Sequence, residues 1–325
     1  MNLLIAVARL LIAAVLMVAA ASVGAQQDYP NKPIRIIVPY PPGGSVDPTA
    51  RTFGNWLSDK LGVPVVIDNR PGAGSTIGTA LGAKAAPDGY TLLQGTSAGM
   101  VVSPALGTKL AYDPVKDFAP VGLCDYVPFL LVVPSSLPVK NVKEFIELAK
   151  AQPGKINYGS PGIGTPNHLG GELLKAMTGA ELVHVPYKGG GPATVDLLAG
   201  RIQALFGSPP QWQPHFASGK IRVIGVGHPT RLKSMPDVPA IAETYPGFNN
   251  TSWYGLFAPA GTPAAIVNKL NAEMRKAVAN AEFSKRIEAI GLVPASSTPQ
   301  ELGDMVRNEL ARWTKVIHDA GIHVD

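Results

Sequence analysis

The residues best placed to do chemistry lie in glycine-rich loops. Pro41-Pro42-Gly43-Gly44-Ser45-Val46-Asp47, Arg70-Pro71-Gly72-Ala73-Gly74-Ser75-Thr76 and Pro161-Gly162-Ile163-Gly164-Thr165 each follow a strand-like apolar run and lead into a helical pattern. The free N–H groups of a helix's first turn and the positive end of its dipole form an anion site. Glycine lets the backbone approach a ligand and adopts φ > 0 without strain. The same pattern also serves as a plain tight connection, so it leaves both readings open. Arg70 and Lys188 adjoin such loops and could pair with a carboxylate; the bland alternative is a solvated side chain.

Other constellations point elsewhere. Gly95-Thr96-Ser97-Ala98-Gly99 fits the Gly-x-Ser-x-Gly elbow of a serine hydrolase with Ser97 as nucleophile. The chain then runs into Pro104 rather than a clear long helix. Gly72-x-Gly74-x-x-x-Gly78 suggests a dinucleotide loop, but its spacing departs from Gly-x-Gly-x-x-Gly. Trp253 and Tyr254 could stack on a ligand ring or pack a hinge. Cys124, the single cysteine, reads as a small core residue. The six histidines show no metal-ligand spacing. Neither a metal nor a cofactor is expected.

The elements that must position these loops alternate. Strands are expected at 34–40, 63–68, 90–94, 129–133, 156–160, 182–186, 204–206, 223–226 and 253–258. Helices are expected at 48–61, from about 76 to 85, at 142–151, 166–178, from 191 to 199, and at 263–279, 281–290 and 299–320. Asp47 is expected to cap the helix that starts at Pro48, and Thr165 the one that starts at Pro166. This alternation predicts an α/β fold with parallel sheets, in which ligands collect at the carboxyl ends of strands. Two similar units emerge. Lobe 1 is expected to comprise 26–124 and 251–325, and lobe 2 to comprise 125–250, with crossings near Asp125 and Thr251. The loops at 41–47 and 160–168 then fall in different lobes, so a cleft could grip one carboxylate from both sides.

The N-terminus reads as a secretory signal. Arg9 precedes an apolar run from Leu10 to Ala20, and Val23-Gly24-Ala25 offers a cleavage site before Gln26. The run is short for a bilayer span. Export to the periplasm with a cut after Ala25 is expected. The remaining 300 of the 325 residues are long for one core and favour two lobes. Net charge is +5 from 28 basic and 23 acidic residues. Without Arg9 it is 27 − 23 = +4. The basic residues form no patch, which argues against nucleic acid.

Many ordered motifs resemble one family. Tyr29-Pro30-x-Lys32-Pro33-Ile34-Arg35-Ile36-Ile37-Val38-Pro39-Tyr40-Pro41-Pro42-Gly43-Gly44 is similar to the start of mature Bug-family receptors, the substrate-binding proteins of tripartite tricarboxylate transporters. The resemblance continues through Asp47, Asn69-Arg70-Pro71-Gly72-Ala73-Gly74, Ala86-Pro87-Asp88-Gly89-Tyr90, Tyr158-Gly159-Ser160, Gly162-x-Gly164-Thr165, His168-Leu169, Val185-Pro186-Tyr187-Lys188-Gly189 and Ala258-Pro259-Ala260-Gly261-Thr262-Pro263. It implies a two-lobed type II periplasmic binding fold of the Venus-flytrap kind. A small carboxylate would be held by the loops at 40–47 and 160–165 through backbone groups and bridging waters. The solute would pass to membrane permease subunits. The expected protein is a monomeric receptor, not an enzyme.

The candidate ligand-binding residues are Tyr40, Pro42, Gly43, Gly44, Asp47, Gly74, Ser75, Ser97, Ser160, Gly162, Gly164, Thr165, His168, Tyr187, Gly207 and Ser208. Two stretches depart from the family. Many members carry an Asp where this chain has Gly207, a position that can face the far end of the ligand. Where many carry Ser-Thr-His, this chain has Ser97-Ala98-Gly99. Ser208-Pro209-Pro210-Gln211-Trp212 is also unusual and could shape an apolar pocket. The resemblance therefore implies a less polar or bulkier acid, of dicarboxylate or aromatic type, over an amino acid.

Overall fold

The computed structural model describes residues 29–43 and 46–322. The expected signal segment and its cut after Ala25 lie outside the described residues, as does Gly44.

The chain builds two mixed sheets with related layouts. Strands β1 (Ile34–Val38), β2 (Val65–Asn69), β3 (Thr91–Thr96), β4 (Phe118–Pro128), β10 (Thr251–Pro259) and β11 (Val293–Pro294) form a six-stranded sheet in the order β11-β4-β10-β3-β1-β2. Strands β5 (Leu130–Pro134), β6 (Ile156–Ser160), β7 (Leu182–Pro186), β8 (Ala204–Gly207) and β9 (Ile221–Val226) form a five-stranded sheet in the order β7-β6-β8-β5-β9. β1 runs parallel to β2 and β3 on either side, and β6 runs parallel to β7 and β8. The remaining pairings are antiparallel.

Helices pack on these sheets by burying one stripe. In α1 (Val46–Leu61), Val46, Ala50, Phe53 and Leu57 recur at helical spacing and are buried. The helix begins at Val46, one residue before the expected cap. Asp47 thus sits inside the first turn, where its charge meets the helix dipole. α2 (Thr76–Ala83) and α3 (Val142–Ala151) follow β2 and β5. Pro166 opens α4 (Pro166–Thr178), and the Thr165 hydroxyl accepts the His168 N–H there at 3.4 Å, as the sequence predicts. α5 (Gly190–Leu198), α6 (Ala264–Ala279), α7 (Ala281–Ala289) and α8 (Pro299–Asp319) complete the helical layer.

The sequence pattern predicts no strand at 118–128, where β4 lies. Pro120, Gly122 and Pro128 interrupt its pattern, and Val121, Leu123, Cys124 and Asp125 are all buried, so no in-out alternation appears. Register shifts against β10 accommodate the irregularity.

The two passages between sheets lie side by side. β4 ends at Pro128 and β5 starts at Leu130. On the return, Gly227 N–H donates to the Phe129 carbonyl at 2.7 Å, and Asn250 N–H donates to the Gly227 carbonyl at 2.9 Å. A Cβ on Gly227 would meet the carbonyls of Asn250 and Phe129 at 2.6 and 2.9 Å, so only glycine fits this junction. Trp253 is fully buried beside it, with Nε1–H donating to Glu309 at 2.7 Å. Of the two readings open for Trp253, packing is the one realised.

Candidate functional site: paired glycine loops

The loops at 40–47 and 160–165 occupy equivalent places. Each leaves the carboxyl end of the middle strand of a parallel triplet, β1 in one sheet and β6 in the other. Parallel strands expose their carboxyl ends together, so each loop gathers neighbours from two flanking strands. Beside the first stand Gly74, Ser75 and Ser97. Beside the second stand Tyr187, Gly207 and Ser208.

The loop after β6 is braced from behind. Ser160 is fully buried, and its Oγ lies 2.9 Å from the Gly162 carbonyl, 3.2 Å from the Gly162 nitrogen and 2.7 Å from His184 Nε2. One assignment satisfies every group. His184 Nε2–H and Gly162 N–H donate to Oγ, and the hydroxyl donates to the Gly162 carbonyl. Thr165 Oγ1 adds a second donor to that carbonyl at 2.7 Å. Gly162 and Gly164 have φ of 154° and 74°; the second lies well inside the left-handed region that favours glycine. Gly164 N–H donates to His168 Nδ1 at 3.0 Å. The Tyr187 amide closes the base of the loop on the Ser160 carbonyl at 2.9 Å, and its hydroxyl donates to Asp196 at 2.8 Å.

The amides of Gly162 and Gly164 are therefore already bound within the protein. These glycines shape the loop, while His168 and Ser160 hold it from the inner side. His168 is buried and stacks on His184 with ring centres 3.8 Å apart. Burial depresses both imidazole pKa values, and His184 reaches about 4 with a further push from His168. Both rings are neutral at pH 7. Since His168 Nδ1 accepts a hydrogen bond, its proton sits on Nε2, which faces Glu172 at 3.8 Å. Glu172 in turn accepts the Tyr158 hydroxyl at 2.5 Å and Lys175 at 2.9 Å. His184 was not among the sequence candidates, because its partners lie 16 to 24 residues away in the chain.

The loop after β1 is braced by Asp47. Its carboxylate accepts Arg51 Nε at 2.9 Å and Asn69 Nδ2 at 3.0 Å, and the same Asn69 nitrogen donates to the Tyr40 carbonyl at 3.0 Å. Burial pushes the Asp47 carboxyl up, but hydrogen bonds from Arg51, Asn69 and the Gly43 backbone, with the Arg51 charge, hold it below the usual carboxylate range. Asp47 is thus ionised and ties the loop at Tyr40, through Asn69, and at the Gly43 backbone. Next to it, the turn at Gly72–Ser75 has positive φ throughout, at 137°, 45°, 62° and 86°. Ala73 and Ser75 are strained there, and such strain concentrates at functional sites. A Cβ on Gly99 would meet the buried Ser75 Oγ at 2.7 Å, so Gly99 makes room for this turn.

The remaining candidates sit as follows. Ser97 has φ −56° and ψ −30°, an ordinary helical conformation, and not the strained turn of a nucleophile elbow. Its Oγ lies 2.5 Å from Ser252 Oγ. Ser97 therefore does not form the elbow of a serine hydrolase. Arg70 pairs with Asp68 at 2.9 Å, so it is engaged within its own lobe. Lys188 is exposed. Ser208 heads a short helical turn, Pro209–Trp212, without a side-chain cap.

Among the described residues, no helix is long and apolar enough to cross a membrane, and no cluster of His, Cys, Asp and Glu is arranged for a metal. Cavities of about 490 and 300 Å³ are lined by His228–Pro294 segments and by Thr76–Ala111 segments. Neither includes a residue of the paired loops.

Two similar α/β units joined by adjacent passages, each with a loop at its strand ends, define a two-lobed periplasmic-binding-protein fold. Residues 49–322 match the model of the tripartite tricarboxylate transporter family receptors, and the chain belongs to that family. It is 38% identical over 295 residues to BugT of Bordetella pertussis, covering 90% of each chain. Among solved structures, it is similar to an R. palustris protein with adipate, at 36% identity and TM-score 0.76 over 91% of this chain and 99% of that one. It is also similar to MatC from Rhodopseudomonas palustris with bound malate, at 33% identity and TM-score 0.70 over 89% and 100%. The family is one of solute-binding receptors, not enzymes.

Proposed function

We propose that this chain captures a small carboxylate between its lobes in the periplasm and delivers it to the permease subunits of a tripartite transporter. The observation that carries this reading is the equivalence of the loops at 40–47 and 160–165, each at the end of a central parallel strand. The adipate and malate held by the two similar proteins support a carboxylate as the class of solute. In this reading lobe 1 comprises 26–124 and 251–325, and lobe 2 comprises 125–250. The adjacent passages at Phe129 and Gly227 form the hinge. Closure follows from the solute's higher affinity for the closed arrangement. The receptor acts as a monomer, after removal of the segment ending at Ala25.

Gly207 removes any side chain from the end of β8, which favours a dicarboxylate or aromatic acid over an amino acid. Native mass spectrometry of the purified protein, followed by a thermal-shift panel of carboxylates, tests this. The expected result is a carboxylate carried through purification and a raised melting temperature with diacids or aromatic acids. A shift with aspartate or glutamate alone would sink the ligand assignment. A shift with no carboxylate would sink the receptor reading.

A further inference from the structure

Trp212 is fully buried, and its indole N–H has no hydrogen-bond partner among the described residues. A buried donor left unpaired is costly, so each one in a native fold calls for an explanation. Trp212 ends the helical turn that follows Gly207 and Ser208. β6 and β8 pair in parallel through Tyr158 with Ala204 and Gly159 with Leu205. Gly207 therefore emerges at the same sheet edge as Ser160 and its loop. Asn167, in the first turn of α4, donates to the Phe206 carbonyl at 2.6 Å and ties the two places together.

A Cβ on Gly207 would lie 2.5 Å from Trp212 Nε1 and 2.6 Å from Gln211 Oε1. No side chain fits at 207. The indole N–H and the Gln211 amide occupy that space instead, and neither carries a charge. Gln211 is half-buried, with Nε2 donating to Thr194 Oγ1 at 3.0 Å. Its amide oxygen lies beside the same Gly207 position as the indole nitrogen.

We propose that Trp212 Nε1–H donates to an acceptor at the far end of the bound acid and so determines specificity. The inference rests on the carboxylate reading above. A distal carboxylate or carbonyl supplies the acceptor that the indole lacks. A distal ammonium brings only donors, so it leaves the indole N–H unpaired and can bond only the Gln211 amide oxygen beside it.

The test uses probes that differ at one end. Calorimetric titrations compare adipate, hexanoate and 6-aminohexanoate, and then succinate, butanoate and 4-aminobutanoate, on the wild type and on Trp212→Phe. In the length that binds, the diacid is expected to bind tightest and the ω-amino acid weakest. Trp212→Phe should lower diacid affinity about tenfold and leave the monoacid within a factor of two. The wild type offers a reading free of folding effects: the Trp212 indole ¹⁵N–¹H signal should shift with the diacid and stay with the monoacid. Equal diacid affinity in the variant, or an unmoved indole signal at saturation, overturns the assignment while leaving the receptor reading intact. If neither diacid binds and no other carboxylate does, both fall.

Discussion

His168 Nδ1 accepts the Gly164 N–H at 3.0 Å, so a buried imidazole holds a loop glycine from the inner side. The glycine's left-handed φ of 74° brings that amide inward, and the neutral ring is the acceptor it needs. Replacing His168 with Ala strands a buried N–H and opens space. The expected cost is about 1–3 kcal/mol in stability. Carboxylate affinity should fall about tenfold, because the loop loses its set position. His168→Gln, which retains an acceptor, should recover part of the affinity. Urea unfolding and calorimetry read both effects. Unchanged binding by His168→Ala would rule out the positioning role.

The stacked pair predicts weakness in acid. Burial, and then His168, lowers His184 from 6.5 to about 4. Between those values the unfolded chain takes up a proton that the fold refuses. This contribution to stability is present above pH 6.5 and is lost as pH falls toward 4. In His184→Gln the melting temperature should be lower at pH 7 yet fall less between pH 6.5 and 4.5. A decline as steep as the wild type's would show that this histidine does not govern the acid limb.

Asp125 predicts the opposite slope. It is fully buried in β4; Thr49 Oγ1 donates to its Oδ2 at 3.0 Å, and Oδ1 has no partner among the described residues. Burial pushes its pKa to about 8, and the Thr49 bond offsets only part of that. The fold keeps the carboxyl protonated where the unfolded chain ionises, so stability declines as pH rises from about 4 to 8. Asp125→Asn keeps the shape without the charge. Its melting temperature should exceed the wild type's at pH 8, with a gain on the order of a few kcal/mol, and match it near pH 4. Parallel melting curves across that range would contradict the prediction.

The regular parts of the fold were legible because local pattern and tertiary need agree there. Ile36, Ile37 and Val38 form an apolar run that becomes a central parallel strand. Thr165 and Pro166 specify a helix start that the structure keeps. β4 was not legible, since its prolines and buried faces mimic a loop while its partners are contributed by β10 and β11. The brace behind the second loop was equally hidden. Ser160, His168 and His184 meet only once β6 and β7 pair in register, with Tyr158 opposite His184 and Ser160 opposite Pro186.

The sequence by itself determined the alternation of strands and helices, the glycine loops at helix starts, and the ordered motifs of a transporter receptor. Those features are local, written in periodicity, caps and turns. The tertiary structure alone decided which polar groups of those loops bond within the protein. Gly162 and Gly164 looked like offered amides; folding gave them to Ser160 and His168. Gly207 looked like a missing side chain; folding filled its place with Trp212, whose indole N–H has no partner among the described residues. Hydrogen bonds between groups far apart in the chain exist only after burial brings them together, and no local pattern encodes them.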